Sequence, residues 1–178
     1  MFLTLLKWQK FGKIPDLLGY LDKKSKFGGI FGNWGRIFVM ITDKFGTAIN
    51  CMDGRVQVPV ADWVKLHSGV QYVDMITEPG ADKVLAERDG RLLNSIYEKL
   101  RISVELHQSE IVAVAGHFEC AGNPVDFETH QEHIELGVEL LQSWNLGVRI
   151  VGLYVNEWSA VDVLYDSNDG FEDIKSFL

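Results

Sequence analysis

The hydrophobic runs of this chain are short, rich in β-branched residues and separated by amphipathic stretches. That alternation limits the folds open to it. Ile111-Val112-Ala113-Val114-Ala115-Gly116 is the clearest run, and Thr47–Cys51, Tyr72–Thr77 and Val148–Val155 are the others. Runs of this length read as buried strands. Between them, Leu92, Leu93, Ile96, Tyr97, Leu100 and Val104 recur at helical spacing, which predicts an amphipathic helix over about 91–107. Pro59 suits the first turn of a helix ending near Gly69. Thr129-His130-Gln131-Glu132 has the capping-box pattern for a helix reaching about Trp144. The acidic tail beyond about 156 is expected to hold a short helix. The alternation predicts an α/β fold, a mostly parallel central sheet with helices on both faces. Right-handed crossovers gather the loops after the strands along one edge, where ligands bind at the reversal of strand order.

Both cysteines of the chain stand just beyond such runs. Cys51-Met52-Asp53-Gly54-Arg55 ends the first run, and His117-Phe118-Glu119-Cys120 follows the third. If strands 1 and 3 are neighbours, with strand 2 outside strand 1, then Cys51, His117 and Cys120 reach one point. Two thiolates and one imidazole suit Zn²⁺, and three protein ligands leave a fourth position for water. Zinc lowers the pKa of that water toward ~7. With two thiolates neutralising the ion, the zinc hydroxide is net negative and suits a small neutral electrophile. Asp53 is placed to reach the fourth position or the water there. Arg55 is placed to pair with Asp53, hold it off the metal and lower its pKa. The plainer alternatives are a Cys51–Cys120 disulfide and an ordinary surface ion pair. A disulfide needs neither His117 nor the Asp53–Arg55 pair.

Other residues have weaker claims. His130 and His133, at a helix start facing the same edge, suit a proton relay or support of the metal. A three-histidine site of His117, His130 and His133 strands both cysteines. His67 and His107 fall near helix C-termini, where imidazolium suits the dipole. Glu78 lies on a turn near the site and is a candidate for a catalytic or gating role. Trp63, Trp144 and Trp158 read as packing residues.

The charge of −8 argues against general nucleic-acid binding. It is uneven: residues 1–46 carry eight Lys/Arg against three acids, and the remainder carries nine against 22. We therefore divide the 178 residues into a basic N-terminal arm or extension, 1–45, and a single zinc-binding α/β domain, 46–178. Leu17, Leu18 and Leu21 suit a short helix in the arm, and Met40 is a conceivable alternative start. No stretch approaches the roughly 18–20 apolar residues of a membrane span. Lys7 interrupts the initial apolar run before it reaches the length of a signal-peptide core. Two cysteines in this length fit a reducing cytosol, so the expected location is cytoplasmic.

The two motifs together resemble the signature of the β-class carbonic anhydrases, Cys-x-Asp-x-Arg on one strand end and His-x-x-Cys on another. Cys51, Asp53, Arg55, His117 and Cys120 match it in order, within a resemblance spanning about residues 46–158. The resemblance implies a β-carbonic-anhydrase-like fold and reversible hydration of CO₂ to bicarbonate by a zinc-bound hydroxide. It also implies Cys51, His117 and Cys120 as ligands, Asp53–Arg55 as the catalytic dyad, and at least a homodimer with the arm contributing contacts. In some members the matching Asp closes onto zinc. This chain departs from the family at two loops. Cys120 is followed by Ala121-Gly122-Asn123-Pro124 where the family usually has Gly, and Thr77-Glu78-Pro79-Gly80-Ala81 stands where an Arg-Asn-Ala-Gly-like loop is common. It thus reads as a divergent branch. Two other outcomes follow from such divergence: hydrolysis of carbonyl sulfide or carbon disulfide, and a structural or sensing zinc module closed by Asp53.

Overall fold

The computed structural model describes residues 43–168. Nearly all of the basic arm, with its Leu17–Leu21 helix and Met40, lies outside them, as does the end of the acidic tail. Five strands form one sheet: β1 (Phe45–Asn50), β2 (Tyr72–Thr77), β3 (Ile111–His117), β4 (Arg149–Val155) and β5 (Val161–Asp166). Their order is β2-β1-β3-β4-β5. The first four are parallel, and β5 is antiparallel to β4. The order reverses between β1 and β3, where Asn50 pairs with Ala115.

Side chains alternate across the sheet with the period of two that strands impose. Ile49, Val112, Val114, Ile150 and Tyr154 pack on one face. They meet three helices: α2 (Ala81–Glu87), α3 (Gly90–Arg101) and α4 (Phe127–Ser143). Ala48, Ala113, Ala115, Val151 and Leu153 face the other way, against Val56, Val60, Trp63 and Val64 of α1 (Gly54–Ser68). Both faces of the central strands are therefore covered, which is why these strands read as unbroken apolar runs.

Several boundaries differ from expectation. Helix α1 begins at Gly54, so Pro59 lies inside the helix. The start is set by Asp53, whose side chain caps the helix by accepting from the Arg55 N–H. Helix α4 is likewise capped earlier than the Thr129 pattern suggested, by Asp126, which accepts from the Thr129 N–H. The long helix over 91–107 ends as a regular helix at Arg101 and continues as a π turn, Ile102–Leu106. Helix α2 had no sequence signal, because it is seven residues long and its N-cap, Gly80, offers no side chain. The described part of the tail holds a strand, β5, and no helix, and the remainder of the tail, over which the expected short helix also extends, lies outside the described residues. Asn156 makes the hairpin possible: its side-chain carbonyl accepts from Trp158 and Ala160 N–H groups, the local turn chemistry of asparagine. Trp158 at that turn is 77% exposed and packs on nothing comparable to Trp63 or Trp144. No helix of the described residues is long and apolar enough to cross a membrane.

Strand β5 is tied to β4 by the Arg149–Asp166 ion pair, a two-point contact of the guanidinium Nε–Nη2 edge with both carboxylate oxygens. The Arg149 fork, with the Asn168 N–H, holds the Asp166 carboxyl below the usual carboxylate range. A carboxyl depressed on folding adds stability above its unfolded pKa and loses it as pH falls through the folded value. Asp166→Asn is expected to lower the unfolding free energy at pH 7 by about 1–3 kcal/mol. The deficit should shrink below a pH of about 3.9, as urea titrations at pH 7 and at acid pH will show.

Candidate metal centre

Cys51 follows β1 directly, and its backbone is held from three sides. Its carbonyl accepts from Asn50 Nδ2 at 2.9 Å and Gln57 Nε2 at 2.6 Å. The neighbouring Met52 N–H reaches the Glu78 carbonyl beyond β2. His117 is the last residue of β3 and is 2% exposed. Its Nδ1 donates to the Phe118 carbonyl at 2.9 Å, which assigns the lone pair to Nε2. That Nε2 is buried and has no hydrogen-bond partner. Glu119 takes a left-handed conformation, φ 51°, in the turn that leads to Cys120.

The ligand atoms of Cys51, His117 and Cys120 lie within 4.8 Å of one another, all three residues buried. The two Sγ atoms are 3.7 Å apart, and both cysteines are free thiols, so the disulfide alternative fails. Zinc–sulfur bonds of about 2.3 Å at tetrahedral angles separate two sulfurs by roughly 3.8 Å. An unpartnered imidazole nitrogen and two thiols at this spacing fit a zinc-sized ion. They fit little else that a buried core would contain.

Asp53 stands outside this group of three. Its carboxylate accepts from Arg55 Nε at 3.1 Å, from Arg55 Nη2 at 2.8 Å and from the Arg55 backbone N–H at 2.9 Å. These bonds bring the Asp53 pKa down to about 2, the side-chain bonds contributing most. Arg55 also donates to the Glu119 carbonyl at 3.4 Å. It therefore joins the two motifs. A cleft beside the thiols is lined by Arg55, Val56, His117, Phe118, Val155 and Asn156.

A family model described as "Putative carbonic anhydrase" matches residues 41–165, which include both motifs. The chain belongs to that family. A β-carbonic anhydrase of the ascomycete Sordaria macrospora, from a pair described as tetrameric, aligns with a TM-score of 0.48 and 12% identity over 68% of this chain and 80% of its own. The β-carbonic anhydrase CafA of Aspergillus fumigatus aligns with a TM-score of 0.47 and 13% identity, over 68% and 74% respectively. No curated protein sequence matches the chain.

The remaining sequence candidates of this carbonic anhydrase relative fall elsewhere. His67 stacks on Trp63, and His107 pairs with Asp74. Glu78 pairs with Lys99 and serves the site through its backbone. His130 and His133 stand outside the three-atom group, bonded to Asp82 and Asn123. Sequence reasoning missed Gln57, Glu119 and Asn123. Each acts through a bond that only the fold creates. The two divergent loops meet each other: a Cβ on Gly122 would lie 2.5 Å from Gly80 N and from the Pro79 carbonyl carbon. Gly122→Ala is therefore expected to cost about 1–3 kcal/mol in stability. Gly54→Ala, which meets nothing within 4 Å, should leave the melting temperature unchanged or higher. Thermal melts of the two variants check this.

Proposed function

We propose that this chain holds zinc on Cys51, His117 and Cys120 and catalyses the reversible hydration of CO₂ to bicarbonate. The carrying observation is the convergence of three donor atoms while Arg55 holds Asp53 outside them. That arrangement leaves one position for an exchangeable water, as a catalytic site requires and a closed structural site does not. Bound there, zinc supplies a water acidified toward a pKa of ~7.

The chain's own residues do the rest. The ionised Asp53, held by Arg55, would be the acceptor that orients a donor at the open position. Arg55 keeps that carboxylate from swinging inward. The cleft is mixed: Val56, Phe118 and Val155 give it an apolar side for a small uncharged gas, and Arg55, Asn156, Glu157 and Ser159 give it a polar one. The exposed Arg55 guanidinium offers the anionic product a counter-charge on leaving. The same reading makes the protein a homodimer or larger. Exposed Met52, Phe118 and Trp158, on the loops after β1, β3 and β4, and the opposite charges of arm and body support it.

Metal analysis should find about one zinc per chain, lost from Cys51→Ser and Cys120→Ser after mild chelation. Asp53→Ala and Arg55→Ala should keep zinc and lose roughly 10²-fold or more in CO₂ hydration by stopped flow. Zinc-loaded protein without hydration activity at any pH would overturn the reading. Starting the chain at Met40 should give a smaller oligomer by light scattering, more so at high salt.

A further inference from the structure

Behind the thiols, on the opposite face of β3, lies a polar cluster that the proposed chemistry does not use. Asp82 and His130 are each 1% exposed, and His130 Nδ1 lies 2.6 Å from Asp82 Oδ2. The imidazole therefore donates from Nδ1. Asn123, also 1% exposed, donates from Nδ2 to the same Asp82 oxygen at 2.9 Å and to His133 Nδ1 at 3.0 Å. The network joins three elements: the first turn of α2, the loop after Cys120, and α4. It is only partly satisfied, since His130 Nε2 and Asn123 Oδ1 are buried without partners. A half-satisfied polar network in an otherwise apolar core is a stability burden.

Its position accounts for that burden. The Asn123 N–H donates to the Cys120 carbonyl at 3.2 Å. A Cβ on Gly116, the residue before His117, would stand 3.1 Å from both Asp82 Oδ2 and His130 Nδ1. The pair thus fills the space a side chain at Gly116 would take, next to the backbone that carries His117, and Asn123 is bonded to the backbone that carries Cys120. We infer that Asp82, Asn123 and His130 are positioning residues for these two donors, acting through the backbone to hold the Cys51–Cys120 spacing that the ion needs. This rests on the zinc reading above.

The test compares Asn123→Ala, Asp82→Asn and the exchanged pair Asp82→Asn with Asn123→Asp, each as the full chain. Zinc affinity is measured by competition with a chromophoric chelator, and the thiolate-to-cobalt absorption is recorded after loading with Co²⁺. Each single variant should bind zinc on the order of tenfold or more weakly and shift the cobalt spectrum, with circular dichroism unchanged. The exchanged pair restores one donor facing one acceptor and should recover both readouts. Asn123→Ala with the parent's affinity and spectrum would overturn the inference, as would an exchanged pair that folds and stays weak. Should Asp82→Asn fail to fold, Asn123→Ala, a loop substitution, and the exchanged pair decide. Cys120→Ser separates the two levels: parent zinc affinity there would remove the metal site itself, whatever the positioning variants do.

Discussion

The site depends on one pairing, that of β1 with β3. These strands are parallel neighbours, in register so that Asn50 stands opposite Ala115. One residue beyond Asn50 is Cys51, and two beyond Ala115 is His117. Because successive side chains point to opposite faces, a shift by one residue would send His117 to the face of α2 and α4. The thiols would then have no imidazole. The register is held by apolar side chains packed on both faces, Ala48 and Ala113 toward α1 and Ile49 and Val114 toward the other helices. The core and the candidate metal centre are therefore one construction: the packing that stabilises the sheet also places the donors.

Asp53 shows how little local structure is spared for single tasks. It caps α1, pairs with the Nε–Nη2 edge of Arg55 and stands two residues beyond Cys51. The capping bond fixes its backbone as well as its side chain. An aspartate that must move onto the metal would have to abandon the N–H it caps and the guanidinium it faces. Charge-assisted bonds of this kind are stronger than neutral ones, and they hold the carboxylate outward in this structure. Arg55 extends the effect by reaching the Glu119 carbonyl, so that the loop after β3 and the start of α1 brace each other.

The two departures from the β-class pattern that are visible in the sequence prove to be a single structural feature. Pro79-Gly80 and Gly122 touch backbone to backbone, closer than any side chain would allow. Asp82 and Asn123, each two residues on from these glycines or one, complete the contact with a buried hydrogen bond. Small residues where two backbones cross and polar residues just beyond them are what such a contact requires.

By itself the sequence determined the four parallel strands, the α/β class and the candidate donors Cys51, His117 and Cys120. Strands buried on both faces appear as apolar runs, and thiols and imidazoles are rare enough to stand out at their ends. It did not determine where α1 and α4 begin, since Asp53 and Asp126 act as caps only once the chain has turned there. It did not show α2, seven residues with no capping side chain, or β5, whose Asp162 and Asp166 break its apolar run. The bonds of Gln57, Asn123 and Asp82 were decided by tertiary structure alone, and His130, a candidate for support of the metal in the sequence, gained its partner Asp82 only there. Their partners lie up to 48 residues away, and a hydrogen bond across that distance leaves no spacing in the chain to read.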